Sequence, residues 1–483
     1  MKYLLSATFL LFFAGLNAQV RVTTGNNSPE FKQSKQPRFS SFATDDADYF
    51  VIRKTVDFEK INTLVIADKT GNISTAKEIR IPRGTFNDNS DVNSLLVVGK
   101  TAVAFVENHS RDAGKNTLTA RLVDANAEIS NAVLPVGDIS FAKMGNPGDW
   151  YTVLTPDKNH IAVIGKLPHE KDMPDQFKYY LLDKNLKEVG KGQFSFPGFT
   201  KRIEVYKFLA SDKGDFYIVA DEFDKSYKYP VVYKAQAGSA TGSVIPVLLP
   251  DPGLRSLNYT ESVNAAGDLL IAGYAQKKSS FSMGDIKAVG TWLFNSSKPQ
   301  EVKTFMFEKP ITNLTARNIV YNGDTFFVAG EQYKEEKEPS TATGLQRLHA
   351  EDNFTYDHGD ILVTAYGTDG AKKFEIPVSR KWQARNFDQE FMVASGIINN
   401  KLALVFNDQY GKYIDDKYHK NYKLPVAVSI TNDGLMEAPV HFAKELDVIV
   451  TSYTLYPFYF SAYKGRIVVL SANSESVKAI TFQ

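Results

Sequence analysis

Histidines and carboxylates crowd most closely in the segment LHAEDNFTYDHGD, which places His349, Asp352, Asp357, His358 and Asp360 in one short stretch. Imidazole nitrogens and carboxylate oxygens are the donors of metal sites and the partners of acid–base chemistry. Their spacing fits neither a helical H-E-x-x-H pair nor an EF-hand loop. The set is therefore read as candidate ligand-binding residues, and no metal or cofactor is expected.

Two further groups carry recognition chemistry. The segment NDQYGKYIDDKYHKNYK holds Tyr410, Tyr413, Tyr418 and Tyr422. Exposed tyrosine offers a flat apolar face and a hydroxyl at low entropic cost, which suits a peptide or a glycan. Arginines recur where the chain passes between repeats, at Arg83, Arg202, Arg255, Arg317 and Arg385, the last two within the near-identical TARN and QARN. Around a channel mouth, Arg255, Arg317 and Arg385 could hold a carboxylate or phosphate through paired N–H donors.

Other chemistries find no footing. The chain has no cysteine, which removes disulfides, thiolate metal sites and cysteine nucleophiles. There is no G-x-S-x-G elbow, glycine-rich phosphate loop or dinucleotide fingerprint. Lys and Arg number 56 against 55 Asp and Glu. This balance argues against a nucleic-acid partner, which calls for a basic field.

Residues 1–18 read as a secretory leader, with Lys2, an apolar stretch from Leu4 to Leu16, and a small residue at Ala18 before Gln19. That stretch is shorter than the ~20 residues a membrane-spanning helix needs. The reading predicts export to the periplasm or beyond, cleavage near Ala18, and a soluble monomer with no membrane span. Residues 19–48 read as an extension, with the TDDADY run inside a solvated linker, and 49–483 as one domain.

What must position these residues is a repeat. Seven times a short turn leads into an apolar, largely β-branched or aromatic run: Gly99–Val106, Lys158–Gly165, Lys213–Ala220, Ala266–Gly273, Asn322–Ala329, Asn399–Phe406 and Lys464–Ser471. Their starts are spaced by 59, 55, 53, 56, 77 and 65 residues, the mark of a repeat architecture. A second hairpin falls between successive runs, as in Leu64–Ile79 and Val426–Val440, with Asn, Asp and Gly in the turns. Two hairpins make a four-stranded blade. The pattern predicts an all-β, seven-bladed propeller of four-stranded antiparallel blades. A lone hairpin near 63–81 and another near 457–472 are expected to pair and close the ring.

One run carries a resemblance. LTPDKNHIAVIG (Leu154–Gly165) resembles the blade signature of the Tol-system periplasmic propeller and of prolyl-oligopeptidase propellers, and it covers one blade. The resemblance implies an exported propeller repeat protein and no more specific family.

In a propeller, the loops between second and third strands open on the same face as the inter-blade connections. Here those loops are long: about 108–117, 166–177, 222–230, 276–289, 331–360 and 408–423, and they hold His109, His169, His349, His358 and His419 of the seven histidines. The longest, Glu331–Asp360, begins with a stretch that reads as solvated. Loops on a rigid scaffold accumulate binding residues. The expected function is a non-catalytic binding module for a peptide, a glycan or an envelope protein on this face. The alternative is a carboxylate- and histidine-based hydrolase or lyase at the channel mouth.

Overall fold

A computed structural model describes residues 20–26, 38–43, 49–56, 61–79, 88–98, 101–338 and 353–483, with breaks at 69, 125, 127, 144, 225–226, 279–284, 386–391, 447, 449–453, 464 and 473–476. The leader lies outside these residues, as do His349 and Asp352.

Each of the seven apolar runs forms the second strand of an antiparallel sheet, and the turn before it explains why. Where described, that turn holds a residue in the left-handed region: Lys158, Gly214, Gly267, Gly323, Asn400 and Gly465, with φ from 55° to 92°. Such turns reverse a strand tightly with the twist that a hairpin requires. The run after the turn is buried on both sides, as in Ala102–Val106, Ile161–Ile164 and Leu402–Phe406. A strand with neighbours on both faces has no polar side, hence the unbroken apolar composition.

Eight sheets are present among the described residues, seven of four strands and one of five. In chain order their first strands are Arg38–Ala43, Asp88–Val98, Asp149–Leu154, Lys207–Ala210, Leu254–Val263, Leu314–Asn322, Ala394–Ile398 and Thr454–Tyr463, which open blades 1 to 8. Each of these strands touches the next, and Thr454–Tyr463 touches Arg38–Ala43, so the inner strands form a closed ring. The chain is an all-β propeller.

The blade count exceeds the expected seven, and closure works differently. The hairpin Ile61–Asp68 with Ile73–Ile79 is not a partner for the C-terminal hairpin; it continues its own sheet from Arg38–Ala43 and Tyr49–Val56. Blade 8 is completed by Val477–Phe482 and then by the N-terminal strand Val22–Thr24, in the register Val22↔Phe482 to Thr24↔Ile480. Arg21 and Gln483 exchange both backbone hydrogen bonds, at 2.8 and 2.9 Å, and Val20 is buried in the adjoining core. Strands therefore occupy parts of 19–48, at Val22–Thr24 and Arg38–Ala43, while residues 44–48 of the stretch read as linker lie outside the described residues.

Candidate functional site

The expected working face carries its most elaborate structure on blade 6. The ladder between Thr325–Lys337 and Phe354–Gly367 runs out to Lys337↔Phe354. At its two described ends the stretch read as a 30-residue loop is thus a β-ribbon that extends the blade, and Lys334–Lys337 are strand. A fifth strand, Trp382–Arg385, pairs with its far side, setting Trp382 opposite His358 and Arg385 opposite Thr355. Residues 339–352 lie outside the described residues.

Directly opposed residues share a face of a sheet. Trp382, His358 and Tyr333 therefore form one row across three strands, with Tyr356 and Phe354 next on the same face. Ring centroids lie 5.3 Å apart for Tyr333–His358, and 6.3 Å for Tyr333–Tyr356 and for Phe354–Tyr356. The alternate residues, Lys334, Asp357 and Gln383, make the opposite face polar. Gln383 Nε2 donates to Asp357 Oδ1 at 2.7 Å, and Lys334 Nζ lies 2.9 Å from Asp285 Oδ1 in blade 5.

At the base of the ribbon lies an open cleft of about 1230 Å³. It reaches blade 5 at Asp285 and blade 7 at Gln409 and Asn421. Three cations (Lys334, Arg380, Lys381) line it against three carboxylates (Asp285, Asp357, Asp360). Five side-chain amides also line it: Asn313, Gln332, Gln383, Gln409 and Asn421.

Beside the cleft sits a sealed ionic knot. Glu331 and Arg380 are fully buried, and Arg380 Nη2 donates to Glu331 Oε2 at 2.5 Å while Arg317 Nε donates to Oε1 at 2.5 Å. His358, also buried, places Nδ1 3.8 Å from Oε2. Burial opposes ionisation of Glu331, but the guanidinium groups of Arg380 and then Arg317 override it and hold the carboxyl well below the usual range. Burial pushes the His358 imidazole below its ordinary value despite Glu331, so the ring stays neutral at pH 7.

The other residues singled out in the sequence separate into distinct settings. Arg317 occupies a bulge in Leu314–Asn322 and is engaged by Glu331, with its guanidinium 5.1 Å from the Tyr333 ring centre, so it belongs to the knot. Arg255 lies at the start of Leu254–Val263 opposite Gln276. Arg202 is exposed beside Glu204, while Arg83 is outside the described residues. Arg385 is placed by its backbone only.

The tyrosine-rich loop is not an exposed aromatic set. A 3-10 turn over Tyr410–Lys412 folds it back, burying Tyr410 in the core between blades 6 and 7. Tyr413 is half-buried and donates to Asp408 Oδ2 at 2.8 Å. Tyr422 packs edge-on against His419 at 4.9 Å while staying 42% exposed, and Tyr418 stands out into solvent, 92% exposed. Core burial of an aromatic ring outweighs its value on the surface.

Among the described residues, three histidines of the long loops each pair with a carboxylate inside a single blade. His109 meets Glu107 at 2.7 Å in blade 2, His169 meets buried Asp175 at 2.7 Å in blade 3, and His419 meets Asp416 at 2.6 Å in blade 7. Among the described residues no group of three or more His, Asp or Glu could hold a metal ion.

One recurrent feature went unread in the sequence. The first residue after the apolar run is Glu107, Lys166, Asp221, Tyr274 and Asn407 in blades 2 to 5 and 7, while in blade 6 it is Gly330, followed by Glu331. Lys166, Asp221, Tyr274 and Asn407 reach toward the next blade, and Glu107 does so through Asn93. Asn407 Nδ2 donates to Leu455 O at 2.8 Å, Tyr259 donates to Asp221 Oδ1 at 2.7 Å, and Lys166 Nζ donates to Ile203 O. Glu107 accepts from Asn93 Nδ2 at 2.9 Å, which also donates to Trp150 O at 3.1 Å. Tyr274 abuts Gly330, where an added Cβ would lie 2.0 Å from its hydroxyl oxygen. Aligning the runs and reading one residue past their ends would have found this set in every blade but the sixth, where Glu331 stands one place further on.

No family model and no curated protein matches the sequence. Among solved structures, the acylaminoacyl peptidase of Pyrococcus horikoshii is similar at 10% identity and a TM-score of 0.38, over 90% of this chain and 57% of that one. The WD40 domain of SCAP from fission yeast is similar at 10% identity and a TM-score of 0.35, over 97% and 98% of the two chains. The core factor of S. cerevisiae is similar at 9% and 0.35, over 98% and 63%. The chain spans little more than half the length of the peptidase. At these scores the likenesses carry no argument, and the propeller class rests on the strand pairing above. No helix among the described residues is long and apolar enough to cross a membrane.

Proposed function

We propose that this chain is an exported binding module that uses its long-loop face, and within it the blade-6 cleft, to hold a peptide, a glycan or an envelope protein. The supporting observation is the ribbon itself. A propeller blade needs four strands, and blade 6 adds a fifth and lengthens two others to wall a cleft rich in hydrogen-bonding side chains. Pockets that bring convergent polar groups together with aromatic surface are the default ligand sites of a fold.

The test is binding of the full chain to peptide and glycan arrays, beside a variant in which Lys334–Tyr356 is replaced by a short Gly-Ser linker. Ligands of the wild type should be lost by a variant that still melts cooperatively. Retention of every ligand by the folded variant would remove blade 6 from the function.

A further inference from the structure

Granted that the blade-6 cleft is the binding site, on which the inference below depends, its composition narrows the ligand. Lys334, Lys381 and the single positive charge left over in the knot of Arg317, Arg380 and Glu331 balance Asp285, Asp357 and Asp360, so the site presents no net charge to complement an anion or a cation. The His358 ring adds none, because burial keeps it neutral. Arg317 and Arg380, the groups best suited to phosphate or carboxylate, are already committed to Glu331.

What remains is hydrogen-bonding capacity without charge preference. An amide side chain presents both donors and an acceptor, as a sugar hydroxyl does, so it can match a hydroxyl in either role. Five such amides line one cleft; Asn313 and Gln332 already bond within the protein at both ends, Gln383 donates to Asp357 and Gln409 to Asn421, and each keeps a second N–H or lone pair to offer. The flat ring of half-buried Trp382 lines the same cleft, and Tyr356 and Phe354, also half-buried, continue its face of the ribbon. The C–H faces of a pyranose stack on such rings while its hydroxyls turn outward to polar partners. An aromatic platform beside paired donors and acceptors is thus complementary to a neutral sugar chain. A peptide would ask instead for apolar pockets or an open strand edge.

We infer that the blade-6 cleft is a carbohydrate site for a neutral oligosaccharide, with Trp382 as the stacking platform. The three tryptophans make the test direct. Trp150 and Trp292 are buried in the core, so Trp382 is the one placed to report a ligand in the cleft. The full chain is titrated with laminarin, cellulose, chitin and mannan oligosaccharides, with acidic oligogalacturonate alongside, while tryptophan emission is followed.

At least one neutral series should change the emission saturably, and oligogalacturonate should not. Trp382→Ala should weaken binding by about tenfold or more, Trp382→Phe should keep most of it, and Tyr356→Ala should weaken it with Trp382 still reporting. Near-ultraviolet circular dichroism from the buried tryptophans shows that each variant is folded. Absence of saturable binding by every neutral series overturns the inference, as does unchanged affinity in folded Trp382→Ala. Peptide-array binding lost in Trp382→Ala, with no glycan bound, would overturn the carbohydrate inference and leave the cleft reading standing. Ligands of either kind that ignore all three substitutions would overturn both.

Discussion

Arg380 and Glu331 are 49 residues apart in sequence, yet a guanidinium nitrogen and a carboxylate oxygen meet at 2.5 Å with both side chains closed to solvent. Arg380 sits between the fourth and fifth strands of blade 6, and Glu331 ends the apolar core of the same blade. The pair ties that connection to the blade, and Arg317 closes the carboxylate from the other side.

Removing one partner of a buried pair leaves a charge without compensation. Glu331→Ala should therefore cost about 3–5 kcal/mol in unfolding free energy, measured by urea denaturation. Glu331→Leu combined with Arg380→Met and Arg317→Met should recover most of that loss, because an apolar set of similar volume is often neutral. A single substitution costing under about 1 kcal/mol would mean that water reaches the knot.

Acid should unlock the same region. His358 and Glu331 are both held below their ordinary values in the folded state, so the unfolded chain binds more protons at each. Stability then rises with pH. The His358 contribution is present in full above about pH 6.5 and is lost as pH falls below it. The Glu331 contribution is present above its ordinary range and is lost as pH falls through about 4 and below. Urea midpoints from pH 8 to pH 5 should fall less in His358→Gln than in the wild type. Parallel curves would contradict the burial of that ring.

The seam makes a different demand. Three rungs from Val22 to Thr24, with Val20 in the core behind them, cover the outer edge of blade 8. Deleting residues 20–26 should expose the edge of Val477–Phe482, lower the melting temperature and promote association, since an uncovered edge strand invites pairing. Light scattering during a thermal melt reads both effects. A monomeric variant with the wild-type melt would show that the N-terminal strand contributes nothing to closure.

Gly330 offers a test of packing between blades. A methyl there would sit 2.0 Å from the hydroxyl oxygen of Tyr274, whose ring is fully buried. Gly330→Ala should cost about 1–3 kcal/mol by overpacking. Combining it with Tyr274→Phe should return part of that loss, read from the same denaturation curves. An additive pair would place the clash elsewhere.

Local chemistry made the repeat legible. A turn that takes a left-handed residue, leading into an apolar run, can be recognised within a few residues, and all seven such runs became second strands. Blade 1 escaped because its second strand, Tyr49–Val56, carries Arg53 and Lys54 within the run and comes after TDDAD, without a glycine or asparagine turn. The ribbon escaped because its charged residues suggested solvation, although their alternation with Tyr333, Tyr356 and His358 fits a two-faced strand.

The strand–turn alternation and the all-β class were legible in the chain alone, since these depend on neighbours in sequence; two connections read as long, about 108–117 and 222–230, are instead tight hairpins whose strands run on into them. Which strand closes the ring, which tyrosine turns inward, and which arginine is consumed by Glu331 depended on partners tens to hundreds of residues away. Those outcomes are set by the folded arrangement, because burial and charge pairing act through space and leave no local pattern in the chain.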